Sequence, residues 1–243
     1  MSSQRATAPA QPAYRVGAGG MRRDTPDAMT IRARRIVSDH SRHDQPYHVS
    51  FRGLDLVVLP GVFSPTSTPS TALLADNLTV CPADRVLEIG TGSGALALLA
   101  ATSGAATVVA TDISPEAVAC ARRNVAAAGA NVDVRVSDLF ESLGSDERFS
   151  LIIFNPPFGD AQPGTMLERS VFDYHHATLD RFLRQAPSHL VEGGRIAAVF
   201  GGMEDELELS RRARRYRYHT RVLSDTFLEV HLVVYELTCT TAE

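Results

Sequence analysis

The chain has 243 residues, a mass of 26.3 kDa and a hydrophobic content of 44%, which suits one α/β domain with a short appendage. Its formal net charge of −4 argues against a general nucleic-acid binder, and no apolar run reaches membrane-spanning length. Cys81, Cys120 and Cys239 are odd in number, far apart and not in a C-x-x-C pair, which argues against a zinc site or a disulfide framework. Met1 to Gly20 lacks the charged-then-apolar layout of a signal peptide, so a reducing, cytoplasmic setting is expected, with no membrane partner.

Residues 1–25 are rich in Ala, Pro, Gly, Ser and Arg and poor in large apolar side chains, which predicts a disordered tail. Residues 26–80 are expected to form a small N-terminal unit, and 81–243 the main domain. In the first of these, charge is dense from Thr25 to Asp44 around Met29, Ile36 and Val37, as in a surface helix or lid. Tyr47–Phe51 and Leu54–Val58 alternate apolar and polar residues around Arg52-Gly53, which predicts a β-hairpin. The loop Leu59–Pro69 contains three prolines and could stiffen one wall of a cleft. From Ser70 to Thr79, apolar residues at helical spacing (Leu73, Leu74, Leu78) predict a helix with Ser70 as N-cap.

From Arg85 the pattern is strand followed by helix. Strands are expected at Arg85–Ile89, Thr107–Thr111 (reaching Asp112), Val132–Val136, Leu151–Phe154 and Arg195–Phe200. Ser114 and Pro115 read as N-cap and first helical residue of a helix with stripe Val118, Ala121, Val125 and Ala128, ended by Gly129. Leu179, Phe182, Leu183, Ala186 and Leu190 form a later apolar face, kinked near Pro187 and followed by a Gly193-Gly194 turn. Such alternation predicts a parallel sheet covered on both faces. Tyr218–Asp225 and Leu228–Leu237 have no helix between them and should add an antiparallel hairpin at the sheet edge.

Ligands of such sheets bind beyond the carboxyl ends of the strands. The informative residues fall there: Glu88, Asp112, Asp138 and Asn155. Glu88-x-Gly90-x-Gly92-x-Gly94 joins a strand to a helix, and its glycines allow close approach to a ligand. An acid ahead of the glycines would repel a phosphate. Asp112 suits a ribose diol, because a carboxylate accepts from both hydroxyls. Asp138 either meets an adenine amino group or caps the next short helix.

Together with Asp138-Leu139 and Asn155-Pro156-Pro157-Phe158, these features resemble a class I S-adenosylmethionine-dependent methyltransferase from Phe63 to about Phe200. The resemblance implies a Rossmann-like, doubly wound, mostly parallel seven-stranded sheet. It also implies that S-adenosylmethionine lies against Phe63, Thr71, Glu88, Gly90, Thr91, Gly92, Gly94, Asp112, Ile113, Asp138, Leu139 and Asn155, with no metal. Asn155, Pro156, Pro157 and Phe158 then become the expected catalytic group. The Asn155 side-chain oxygen and the Pro156 carbonyl can hold two N–H hydrogens and aim a nitrogen lone pair, while Phe158 offers a ring for a planar acceptor.

The tetrapeptide is similar to those of release-factor glutamine methyltransferases (Asn-Pro-Pro-Tyr) and small-subunit rRNA guanine-N2 methyltransferases (Asn-Pro-Pro-Phe-His). Gly159 stands in place of that His, and no acid is found near Ser70-Thr71 as in the release-factor group. Only about 45 mostly polar residues precede the hairpin. The expected acceptor is therefore an amide, amidine or amine nitrogen of a small molecule or short peptide. A protein glutamine ranks second, an rRNA or tRNA base third, and a non-catalytic cofactor-binding regulatory module is the alternative of another class. His175 and His176 are candidate substrate-orienting residues, and the arginine run Arg211–Arg217 reads as a solvated helix of mixed charge.

Overall fold

The computed structural model describes residues 26–201, 208–227 and 231–240. The tail expected at 1–25 lies outside them. Helix α1 (Pro26–His40) precedes the hairpin β1 (Tyr47–Phe51) and β2 (Leu54–Val58), which pair antiparallel from Tyr47↔Val58 to Phe51↔Leu54. After the proline loop come α2 (Pro69–Asp76), β3 (Arg85–Ile89), α3 (Ala95–Thr102), β4 (Thr107–Asp112), α4 (Pro115–Ala127), β5 (Asp133–Val136) and β6 (Phe149–Phe154). The chain continues through α5 (Ala177–Gln185), β7 (Leu190–Gly201), α6 (Glu208–Arg215), β8 (Tyr218–Phe227) and β9 (His231–Cys239).

Seven strands form one sheet in the order β5-β4-β3-β6-β7-β9-β8, parallel through β7 and antiparallel at β9 and β8. The strands alternate side chains between two apolar layers. Val86, Val108, Leu151 and Val199 face α2, α3 and α4, whereas Leu87, Val109, Ile152 and Ala198 face α5 and α6. This two-sided burial is what makes the inner strands continuously apolar.

Several elements differ from expectation for clear local reasons. Pro69 occupies the first turn of α2, so the N-cap is Thr68 and not Ser70, and the helix stops at Asp76. Gly193 and Gly194 do not turn the chain. They lie within the twelve-residue β7, where the register against β6 shifts between Phe149 and Leu151. Ser114 does cap α4, its hydroxyl accepting from the Ala117 amide at 3.1 Å, but Ala128 is the exposed C-cap and not part of the buried stripe. Near Pro187 the helix tightens into a 3-10 turn (Ala186–His189), as a proline within a helical run requires. The start of the last strand, Leu228, falls outside the described residues.

Candidate active site

Parallel register places the strand-end residues side by side. Ile89 pairs with Thr111 on one side and Phe154 on the other, so Gly90 emerges between Asp112 and Asn155. Asp112 pairs with Val136, which brings Ser137 and Asp138 next along the same edge. Ile89, Gly90, Asp112, Ser137, Asp138, Phe154 and Asn155 line a cleft of about 430 Å³. That is large enough for a nucleoside-sized ligand. No helix among the described residues is long and apolar enough to cross a membrane, and no metal-holding cluster of three or more His, Cys, Asp or Glu is found among them.

The glycine turn is held from both sides. Gly90 and Thr91 donate to the Thr111 carbonyl at 2.8 and 3.0 Å. Gly94 caps α3 at φ 84°, and a Cβ there would meet Ala121 Cβ at 3.1 Å, so both conformation and space call for glycine. Glu88 is buried, and its Oε2 accepts from Thr91 Oγ1 at 2.6 Å and from the Ala97 amide at 2.9 Å. Burial pushes its pKa up to about 8, against the pull of those two hydrogen bonds, with the Asp112 charge adding to the rise. One Glu88 oxygen thus serves the turn itself.

Asp112 accepts from the Gly92 amide through Oδ2 and from the Ser114 amide through Oδ1, each at 2.9 Å. Each oxygen retains a second lone pair, and the residue lines the cleft, so a carboxylate already oriented by its own loop can still accept from a diol. Burial raises its pKa as well. A ligand bearing positive charge, as a sulfonium does, would favour the ionised form of both acids. The donor set therefore fits the cofactor that the resemblance implies. Asp138 does not cap a helix through its side chain. It accepts from Arg181 Nη1 of α5 at 3.0 Å, beside Leu139, which holds φ 55°.

At the end of β6, Asn155, Pro156, Pro157 and Phe158 line the same cleft. The Asn155 amide nitrogen donates to Thr71 Oγ1 at 3.0 Å and approaches Ser70 Oγ at 3.5 Å. Phe63 and Ile113 also line the wall. Phe63 stacks on His40 of α1 at 5.0 Å. His40 is neutral in this arrangement, since its Nε2 accepts from the Ser64 amide (2.8 Å) while Nδ1 faces the Ile36 carbonyl, and burial lowers its pKa. Helix α1 is thereby fixed to the proline loop, with Ala33, Ile36 and Val37 packed near Phe63, Val171 and Phe172.

Beyond Phe158, Gly159 donates to the Val171 carbonyl (2.9 Å) and accepts from the Asp173 amide (2.8 Å), which closes the loop 160–172 into a second wall. Asp173 then caps the start of α5 through Thr178 and Leu179. Tyr174 lines the cleft, whereas His175 and His176 do not, although both hold φ 54°.

Three contributors escaped the sequence reading. His40 lies in a charged stretch with few apolar residues. Arg181 meets Asp138 across 43 positions of chain. Asn124 left a trace, as a polar residue on the apolar side of α4. It is buried, exchanges hydrogen bonds with the Val57 backbone and donates to the Ser93 carbonyl, which ties the hairpin to the glycine turn.

A family described as the methyltransferase small domain matches residues 53–211. The chain is 31% identical over 166 residues to a protein of Methanocaldococcus jannaschii that carries the provisional name protein N5-glutamine methyltransferase, covering 66% of this chain and 82% of that one. It is 36% identical over 163 residues to the release factor glutamine methyltransferase of Koribacter versatilis. That alignment covers 60% of this chain and 58% of the relative, so the chain spans little more than half of the release-factor enzyme. Among solved structures, the 16S rRNA N2 G1207 methyltransferase of T. thermophilus, in complex with AdoMet and guanosine, superposes with a TM-score of 0.64 at 23% identity. The superposition covers 81% of this chain and 50% of that one. These relatives are named for macromolecular acceptors and lend no support to a low-molecular-weight one.

Proposed function

We propose that this chain, which belongs to the methyltransferase small domain family and is an S-adenosylmethionine-dependent methyltransferase, methylates the side-chain amide nitrogen of a protein glutamine. The observation that carries the reading is the placement of Asn155 one strand from the glycine turn, with its amide nitrogen turned onto Thr71. Bound in the cleft, the cofactor supplies an electrophilic methyl group on a positively charged sulfur. Asp112 would take the ribose diol, Asp138 and Leu139 with Ile113 would frame the adenine, and the turn Gly90–Gly94 with Phe63 and Glu88 would enclose the rest.

The chain's own part in catalysis is to pose the nitrogen. An amide lone pair is delocalised into its carbonyl and weakly nucleophilic. Asn155 Oδ1 and the Pro156 carbonyl accept the two N–H hydrogens of the acceptor, which turns the lone pair toward the methyl and stabilises positive charge as it develops on nitrogen; one N–H proton is then released to solvent, leaving the neutral N-methyl amide. Pro156 and Pro157 fix the backbone that presents that carbonyl, and Phe158, edge-on to Phe200, backs the planar amide. A single polar group oriented in this way is worth roughly two orders of magnitude in rate.

The choice of a glutamine amide over a guanine is supported by the two relatives named for glutamine and by Gly159. A Cβ at that position would lie 2.8 Å from a Phe172 ring carbon and 2.9 Å from the Val171 carbonyl. The His that follows Asn-Pro-Pro-Phe in the rRNA group has no room here. The test is to incubate the protein with labelled cofactor and, separately, release factor, ribosomal proteins and ribosomal RNA, and to map label by mass spectrometry. Label on a glutamine is expected. Label on RNA alone would overturn the reading.

A further inference from the structure

We infer that Thr71 and Ser70 are positioning residues that fix which way the Asn155 amide faces, and so set its competence in methyl transfer. This inference rests on the N-methylation reading above. An asparagine side chain has one acceptor oxygen and a two-hydrogen donor nitrogen, nearly equal in shape, so its own packing does not select between two orientations. One presents the oxygen to an incoming N–H. The other presents N–H to N–H, and the acceptor nitrogen cannot be held. A catalytic asparagine therefore needs a partner that distinguishes the two ends.

Helix α2 supplies that partner. Thr71 is 6% exposed and Ser70 is 2% exposed, and both line the cleft. Thr71 Oγ1 lies 3.0 Å from Asn155 Nδ2, and Ser70 Oγ lies at the longer distance of 3.5 Å. Ser70 is itself 2.8 Å from Thr68 Oγ1, so its proton can go to Thr68 while its oxygen faces the amide nitrogen. With its proton on Thr68, the Ser70 oxygen can only accept, which favours the Asn155 nitrogen on this side, beside Thr71, and leaves Oδ1 as the end turned to the acceptor. Pro69 at the start of α2 fixes the turn that carries both hydroxyls. The expectation that Thr71 is simply a cofactor contact is thereby extended: its hydroxyl is spent on the catalytic asparagine.

The test compares Thr71→Val, Ser70→Ala, the double variant, Thr71→Ser and Asn155→Ala, using a glutamine-bearing release-factor domain as acceptor. The double variant should lose about 10- to 100-fold in kcat, as expected when a reacting group is misaligned. Its S-adenosylmethionine Kd by calorimetry should stay within about twofold, and Thr71→Ser should restore most of the rate. Unchanged kcat in the double variant, or a loss in kcat/KM matched by an equal loss of cofactor affinity, refutes the positioning role. A second readout does not depend on the acceptor. In nitrogen–proton NMR, the Asn155 side-chain protons, identified by their absence in Asn155→Ala, should exchange slowly in the wild type and fast in the double variant. Equal exchange in both refutes the inference even if glutamine proves to be the wrong acceptor. Absence of wild-type turnover on glutamine, with exchange behaving as stated, refutes only the acceptor assignment.

Discussion

Glu88 gives the most quantitative test of how the glycine turn is held. Its ordinary pKa is 4.5 and burial pushes it to about 8. Between those values the unfolded chain has lost the proton and the folded chain keeps it. Stability contributed by the protonated form is then complete below about pH 4.5 and declines as pH rises through 8. At about 1.4 kcal/mol per unit, the whole shift corresponds to about 5 kcal/mol, an upper bound that structural relaxation around the ionised form would reduce. Glu88→Gln keeps an oxygen able to accept from Thr91 and Ala97 but has nothing to titrate. Urea unfolding of the ligand-free protein at several values from about pH 5 to pH 8.5 should show wild-type stability falling by several kcal/mol relative to the variant. Cofactor binding should relieve the burial of charge, because its cation favours ionised Glu88. Stabilisation by saturating S-adenosylmethionine should therefore grow with pH more in the wild type than in Glu88→Gln, a comparison that cancels the ligand's own titration. Parallel pH profiles for the two proteins would refute the argument.

Two other substitutions separate the halves of the cleft. Asp112→Ala removes the carboxylate held by the Gly92 and Ser114 amides, and should weaken cofactor binding by roughly 30- to 1,000-fold, equivalent to about 2–4 kcal/mol; unchanged affinity in titration calorimetry would end the ribose assignment. Gly159→Ala places a carbon 2.8 Å from Phe172 and should destabilise the fold by about 1–3 kcal/mol and slow acceptor turnover, with cofactor affinity retained. Wild-type melting and kcat in that variant would show that the loop clip does not shape the acceptor side.

What the sequence disclosed follows its periodicity. Strand–helix alternation, the glycine turn and the acids at strand ends are local signals, and each sits within one element. The Ser114-Pro115 start of α4 was legible because cap and first-turn proline are adjacent. The same rule applies to the start of α2 at Thr68-Pro69, but the run of Ser and Thr around it offers several competing caps, Ser70 among them. Gly193 and Gly194 mimic a turn because glycine marks both turns and bulges, and only the pairing partner tells them apart. The contacts of His40, Arg181 and Asn124 cross 24, 43 and 67 positions of chain, and no local pattern encodes such distances.

The reach of those local signals has a physical cause in the sheet. Neighbouring parallel strands lie about 4.8 Å apart, and their register is set by which apolar residues must point into each layer. Here Ile89 pairs with both Thr111 and Phe154. The residue after each is therefore level with its neighbours: Asp112, Gly90 and Asn155 stand in one row across β4, β3 and β6. A slip of one residue in β6 would turn Ile152 and Phe154 out of the layer they share with α5, so the apolar core itself keeps Asn155 in line. Alignment of Asp112 with Gly90 and Asn155 is thus a property of the buried strands and is not left to the loops. The loops decide what can enter. Helix α1, fixed through His40, and the segment closed by Gly159 form the two walls, while the row Asp112–Gly90–Asn155 stays as the strands place it.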